Sequence, residues 1–461
     1  MVGKRKNYFF NFFSYILFLT NLSLIYNIIE IPLYPLEVQG DFKYRHFIKK
    51  YEDLFPKNAL LSSYYEIVDS EINREFVFQA QIKIGSRSQT FNLLIDTGSP
   101  ITWIGKIGCK GENNITRYFD PDKSITNIKL NETFLFIYGT GATKGYYYLE
   151  NVEYIPNSLI TMKIGLADSA YYRVPNCDGI MGLSRIYNDE RESIITMLYK
   201  RKYIDSRAFS IKYEGNFEGG TKGSMFLGIH DDFSKNETIS APLADGLFSS
   251  TFNVNITSFG LKNNKYKIRS SEIPTPITID TGSNVFYLPM QYFEDIKNDL
   301  GKFDCQIEDE SHIKRMRFKC DKNGNYPDFQ FIINGYIFTI PKENAYFIKD
   351  NDKEHLYSKA IFINMPMYLI GSAFFHHFHI LFDMDANDLK FYPINKDLMQ
   401  KDGESNESNA LSISLIVIGS IAFIAGVIFV VYFVFIKKKK KLDKNLTIES
   451  NEGLIKEEER E

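Results

Sequence analysis

The sequence predicts an all-β body written as an internal repeat, set between an apolar segment at each end. Three observations predict it. Apolar residues alternate with polar ones through much of the body, the tetrapeptide Asp-Thr-Gly-Ser occurs at Asp96 and again at Asp280, and the run 411–436 carries no charge. At 461 residues and 44% hydrophobic, the chain can bury two or three cores without staples. A formal charge of −3, with no basic block in the central region, gives no support to a nucleic-acid partner.

Lys4, Arg5 and Lys6 precede a mainly apolar run from about Tyr8 to Ile29. That charge order marks 1–30 as a secretory signal or an uncleaved signal anchor, and no small-x-small cleavage pattern follows to separate the two. Residues 31–70 include "FKYRHFIKKYEDLF", basic and tyrosine-rich and without clear strand alternation. They are a prosegment or a linker.

At the other end, 397–410 reads as a linker and 411–436 as a transmembrane helix, long enough to span a bilayer with some tilt. Lys437 to Lys441 follow at once, and positive charge stays cytosolic. Everything before 411 is then lumenal or extracellular, a type I single-pass arrangement, and 437–461 is a charged, disordered cytosolic tail. Cys109, Cys177, Cys305 and Cys320 all lie on the lumenal side, an even number that suggests two disulfides with three possible connectivities. Sequons at Asn114, Asn131, Asn236, Asn255 and Asn406 fit a glycosylated lumenal face.

In "EFVFQAQIKIG", Phe76, Phe78, Ala80, Ile82 and Ile84 alternate with Val77, Gln79, Gln81 and Lys83, the period of a half-buried strand. "FLFIYGTGATKGYYYLE" reads as two strands joined by a turn at Gly139 to Lys144. "KGSMFLGIHD" and "STFNVNITSFG" continue the β character.

The repeat extends beyond the tetrapeptide. "LLIDTGSPITWIG" is followed by Ile180, Met181 and Gly182, and "ITIDTGSNVFYLP" is followed at a similar distance by Leu369, Ile370 and Gly371. Over about 71–395 the chain resembles the pepsin-like aspartic proteases, including the plasmepsins of apicomplexan parasites. The resemblance implies a bilobal, almost all-β fold with lobes at 71–232 and 233–396, each supplying one aspartate to a shared cleft, the apolar-Gly elements crossing behind the two loops. It makes 31–70 an inhibitory prosegment of a zymogen.

Two carboxylates in hydrogen-bonding distance cannot both ionise, so the pair holds one proton and can both activate water and protonate a leaving nitrogen. The resemblance assigns this dyad to Asp96 and Asp280. It implies that Gly98 and Gly282 let the backbone approach the carboxylates, that Thr97 and Thr281 bond across the lobe junction, and that Ser99 and Ser283 bond the outer carboxylate oxygens. Tyr138, with Gly139 and Thr140, resembles the flap that closes over substrate, and Trp103 the tryptophan that bonds the flap hydroxyl.

The resemblance also implies a Cys305–Cys320 disulfide, with Cys109–Cys177 as the expected second pair. Departures from the family pattern fall at Pro100 and Asn284, and at Ser372, which stands where acid-active members carry aspartate and so points to a mildly acidic to near-neutral optimum. His376, His377 and His379 invite a metal reading, yet His377 and His379 would be two side chains on one strand face with no cysteine or acidic cluster nearby to complete a site, and no metal or other cofactor is expected. The expected function is a monomeric, membrane-anchored aspartic endopeptidase that takes an extended peptide and processes secretory or surface proteins. A catalytically silent binding protein of the same fold is the alternative; an all-β adhesion domain would leave the repeat unexplained.

Overall fold

Alternation becomes pleat in the strand Glu75–Ile84. Phe78, Ala80, Ile82 and Ile84 are buried while Gln81 and Lys83 face solvent. The structure is a computed structural model and describes residues 29–38, 75–111, 114–138, 141–171, 177–185, 193–216, 220–235, 237–246, 250–262, 264–267, 275–300, 302–310, 315–349, 352–364, 366–402 and 436–437. It divides into units 1–400 and 401–461, and the fold described here is that of the first.

The chain begins with β1 (Ile29–Val38), β2 (Glu75–Ile84), β3 (Gln89–Asp96), β4 (Trp103–Lys110), β5 (Ile128–Tyr138), β6 (Gly141–Glu153), β7 (Leu159–Tyr171) and β8 (Gly179–Gly182). After helix α1 (Ile194–Lys200) come β9 (Ala208–Asn216), β10 (Gly220–Leu227), the short helix α2 (Asp231–Lys235) and β11 (Ile239–Ala244). The second half adds β12 (Asn253–Leu261), β13 (Asn264–Lys267), β14 (Thr275–Ile279), β15 (Phe286–Pro289), β16 (Cys305–Glu310), β17 (Arg315–Asp321) and β18 (Phe329–Ile333). It continues through β19 (Tyr336–Ile340), β20 (Tyr346–Lys349), β21 (Asp352–Ser358), β22 (Ala360–Ile363), β23 (Leu369–Ile370), β24 (Phe378–Asp383) and β25 (Asp388–Pro393), with the short β26 (Met399–Lys401) after them.

The sequence repeat is a repeat of topology. In the first half β3 runs parallel to β8, β8 antiparallel to β4, and β4 parallel to β7. In the second, β14 runs parallel to β23, β23 antiparallel to β15, and β15 parallel to β22. β3 is covered on both faces, which is why "LLID" reads as a near-continuous apolar run, whereas "TPITI" on β14 buries every second residue more deeply.

A third sheet joins the halves. Its order is β1–β10–β9–β24–β25–β11, antiparallel throughout, so strands from the middle of the chain lie beside β24 and β25 from near the end of the protease body. Phe209 on β9 and Phe382 on β24 are directly opposed, their rings stacked at 4.7 Å. The main hydrophobic core is continuous from Ile31 to Phe391, and a second cluster gathers around Trp103 with Ile101, Phe134, Tyr147 and Ile180.

Four expectations change. The stretch 31–38 is not irregular: it belongs to β1, which starts at Ile29 inside the expected signal segment and buries Ile31 and Leu33. Pro32 and Pro35 obscure the alternation, and β1 tolerates Pro32 because it is the edge strand of the joining sheet. The hairpin closes earlier than expected, with Tyr138 paired to Gly141. His376 ends a 3-10 turn and His377 follows it, so His379 alone of the three lies on a strand.

The fourth concerns the cysteines. Cys305 and Cys320 are directly opposed on β16 and β17 and form a disulfide, but none joins Cys109 to Cys177. The buried Cys177 thiol donates to the Gly179 carbonyl at 3.1 Å. Burial pushes the Cys109 thiol up to about 12, away from the thiolate that oxidation requires.

Gly139 and Thr140 lie outside the described residues, as do 1–28, 39–74 and most of the expected transmembrane segment and tail. Among the described residues no helix is long and apolar enough to cross a membrane. Asn114, Asn131 and Asn255 are exposed, and Asn236 and Asn406 are not described.

Thiol titration of the chain unfolded without reductant should therefore find two reactive thiols, and a count of zero would restore the second disulfide. Replacing Cys305 and Cys320 together by serine should destabilise by about 3 kcal/mol in thermal melts, the loop-closure contribution expected for a separation of 15 residues.

Candidate active site

Each aspartate ends or follows a strand held by the parallel partner behind it. Asp96 closes β3 opposite Gly182, and its carbonyl accepts from Leu183 N–H at 2.9 Å. Asp280 follows β14 and donates its N–H to the Ile370 carbonyl at 3.0 Å. The glycines of the two apolar-Gly elements allow this closeness. A Cβ on Gly182 would lie 2.4 Å from the Ile101 carbonyl oxygen, and one on Gly371 would lie 2.5 Å from those of Ser283 and Val285.

The two loops are tied to each other by their threonines. Thr97 N–H donates to Thr281 Oγ1 at 3.1 Å, and Thr281 N–H donates to Thr97 Oγ1 at 3.0 Å. Each hydroxyl then donates across the junction, Thr97 to the Ile279 carbonyl at 2.9 Å and Thr281 to the Ile95 carbonyl at 2.8 Å. Both side chains are fully buried, so these four bonds leave no hydroxyl unsatisfied.

This lock puts the carboxyl groups within hydrogen-bonding reach of each other. Gly98 N–H donates to Asp96 Oδ1 and Gly282 N–H to Asp280 Oδ1, each at 2.8 Å. Each glycine also faces the opposite carboxyl: a Cβ on Gly98 would lie 2.9 Å from Asp280 Cγ, and one on Gly282 2.7 Å from Asp96 Cγ. Neither position can accept a larger residue without separating the pair.

The surroundings are unequal. Ser99 donates its hydroxyl to Asp96 Oδ2, whereas the Ser283 hydroxyl is directed to the Val285 carbonyl at 3.2 Å and gives nothing to Asp280. The expected symmetric pair of serines is thus a single one. Burial raises both carboxyl pKa values, and for Asp280 the adjacent Asp96 charge raises it well above the ordinary carboxylate range. Donors from Ser99, Gly98 and Asp280 itself favour the charge on Asp96. The arrangement holds one proton, on Asp280, over an ionised Asp96.

A flap side chain reaches the same carboxylate. Trp103 Nε1 donates to the Tyr138 hydroxyl at 2.9 Å, and Tyr138 shares a further hydrogen bond with Ser99. Burial, and then the Asp96 charge, raise the Tyr138 phenol, which therefore stays protonated. Trp103, wholly buried, fixes one end of a chain of hydrogen bonds that ends on Asp96.

Two residues were not legible as site components. The Asp178 carboxylate accepts from Asn92 N–H, Arg117 N–H and the Thr116 hydroxyl, all at 2.9 Å, and fastens β8 against β3. Its place just before the Ile180-Met181-Gly182 element was the available signal. Tyr213, buried on β9 and stacked on Phe78 at 3.7 Å, has its phenol raised by burial and then by the Asp280 charge; no motif announced it.

Raised carboxyls favour the fold while protonated. The contribution is fully present below the ordinary carboxylate range and is lost as pH rises through the raised values. Asp280→Asn should therefore melt above the wild type at neutral pH, with the difference vanishing in acid. A difference that stays the same from acid to neutral pH would contradict the shared proton.

Comparison with known proteins accords with this geometry. Residues 77–394 match the eukaryotic aspartyl protease family. Gastricsin of Mus musculus is 24% identical over 328 residues, 68% of this chain and 80% of its own length. Pepsin A of Gallus gallus is 25% identical over 332 residues, covering 69% and 84%, and gastricsin of Oryctolagus cuniculus is 24% identical over 388 residues, covering 79% and 95%. The chain belongs to the eukaryotic aspartyl proteases and is a pepsin-like aspartic endopeptidase.

Proposed function

We propose that Asp96 and Asp280 are the catalytic dyad of a membrane-anchored processing protease. The observation that carries the dyad is the reciprocal placement of each carboxyl against the glycine of the other loop. Asp96, ionised, takes a proton from a water placed between the carboxyls, and the water oxygen adds to the peptide carbonyl carbon. Asp280, protonated, donates to the carbonyl oxygen. Collapse of the tetrahedral diol breaks the C–N bond: the nitrogen takes a proton from Asp96, Asp280 takes one back from a diol hydroxyl as the carbonyl re-forms, and the dyad returns to its starting state. Tyr138 orders the flap over the peptide. A catalytically silent binder is disfavoured, because both aspartates, both glycines and the flap tyrosine are present together.

The anchored reading rests on the uncharged run 411–436 followed by five lysines. It makes the protease domain lumenal or extracellular. A tethered enzyme meets membrane-proximal substrates at high effective concentration, which favours processing over bulk digestion. Supporting a prosegment at 31–70, β1 precedes the protease body and occupies the outer edge of the joining sheet next to β10.

Incubation with a peptide library across pH should give cleavage within extended apolar sequences, blocked by a statine-type inhibitor. Asp96→Ala and Asp280→Ala should each reduce kcat by about 10²–10⁴-fold or more. Cleavage that survives either change would refute the dyad. Carbonate extraction should leave the full chain in the membrane pellet, as it should a secreted soluble protein fused to 403–461; release of the fusion would refute the anchor.

A further inference from the structure

Among the described residues, His230, Asp232 and His379 offer ligand atoms that all lie within 4.8 Å of one another. His379 comes from β24, and the other two from the turn and first residues of α2, 147 positions earlier for Asp232. The juxtaposition exists only because the joining sheet places β24 beside β9 and, through it, β10. Gly228, at φ 91°, turns the chain between β10 and this cluster.

We propose that these three side chains form a site for a zinc-class divalent cation, separate from the aspartate dyad. His379 Nδ1 lies 2.8 Å from Asp232 Oδ2, and His230 Nδ1 lies 3.4 Å from the same oxygen. Ligand atoms around a tetrahedral zinc, at bonds of about 2.0–2.1 Å, stand roughly 3.3 Å apart. Small side-chain adjustments therefore make the three atoms one face of a tetrahedron.

The protonation pattern points the same way. Asp232 N–H donates to His230 Nδ1 at 3.2 Å, so that nitrogen is unprotonated; its lone pair is held by this N–H in the metal-free chain, and a cation beside the carboxylate would take the place of the N–H. His379 has the outer support that ligating imidazoles need: its Nε2 meets the Ser210 hydroxyl at 2.8 Å, which frees Nδ1 as the ligand when Nε2 carries the proton.

Aromatic packing fixes both rings. Phe226 lies 4.3 Å from the His230 ring, Phe233 lies 4.7 Å from that of His379, and the two imidazoles meet edge to face at 5.0 Å. His379 is fully buried, whereas the side chains of His230 and Asp232 are 20% and 27% exposed. The cation thus has an entry path and a solvent-facing fourth position, the usual place for water. Lys212, whose charge acts on His379, is paired with Glu214 at 3.0 Å. Bound zinc would clip the α2 turn to β24, pinning the passage between the lobes to the closing strands of the second.

The test is equilibrium dialysis of the purified full chain against zinc chloride, with metal content and thermal melting as readouts. One zinc per chain and a raised Tm are expected. His230→Ala and Asp232→Asn, both at partly exposed positions that the fold should tolerate, should each weaken binding at least tenfold and abolish the Tm rise, while Asp96→Asn keeps both. Absence of zinc from the wild-type chain, or equal binding by His230→Ala and Asp232→Asn, would overturn the site.

Discussion

The structure depends on an electrostatic constraint imposed by packing: two carboxyl groups from distant parts of the chain are held too close for both to be charged. What holds them is the buried exchange between Thr97 and Thr281, in which each backbone N–H is received by the other threonine's hydroxyl. Four hydrogen bonds, each contributing about 1 kcal/mol net, are a modest force. Leaving any partner unmet in so dry a junction costs more, and that asymmetry keeps the loops in register. The parallel strands behind each loop and the sheet that joins the halves then make the register a property of the whole fold.

Pseudo-symmetry builds the dyad, and its breaking assigns the roles. The backbone donors from Gly98 and Gly282 are equivalent, at equal distances. The side-chain donors are not, since Ser99 serves Asp96 while Ser283 turns to the Val285 carbonyl. The flap adds to the imbalance, because Tyr138 connects through Ser99 to the same carboxylate. Stabilised charge on Asp96 and a retained proton on Asp280 follow from these contacts, without any difference between the two aspartates as residues.

Much of this was legible in the sequence because symmetry writes itself twice. The paired tetrapeptides and apolar-Gly elements specify strand, loop and parallel partner in each half, and period two specified strands such as β2. The edge strand β1 was hidden by Pro32 and Pro35, which break the donor pattern without breaking an edge. Ser283 could not be read because hydroxyl direction is set by the neighbouring carbonyl, not by the motif. Cys177 shows the limit of counting thiols, since evenness says nothing about where a side chain points. The His230, Asp232 and His379 cluster was invisible for a similar reason: its members meet only when strands from opposite lobes pair.

The unequal dyad is tested most directly by the pH dependence of kcat/KM for wild type and Ser99→Ala on one peptide. Ser99 supports the Asp96 charge, so its removal should raise the pH of the acid limb, where Asp96 takes up a proton, and shift the alkaline limb less. An acid limb that stays in place while the alkaline limb moves would contradict the assignment of the charge to Asp96.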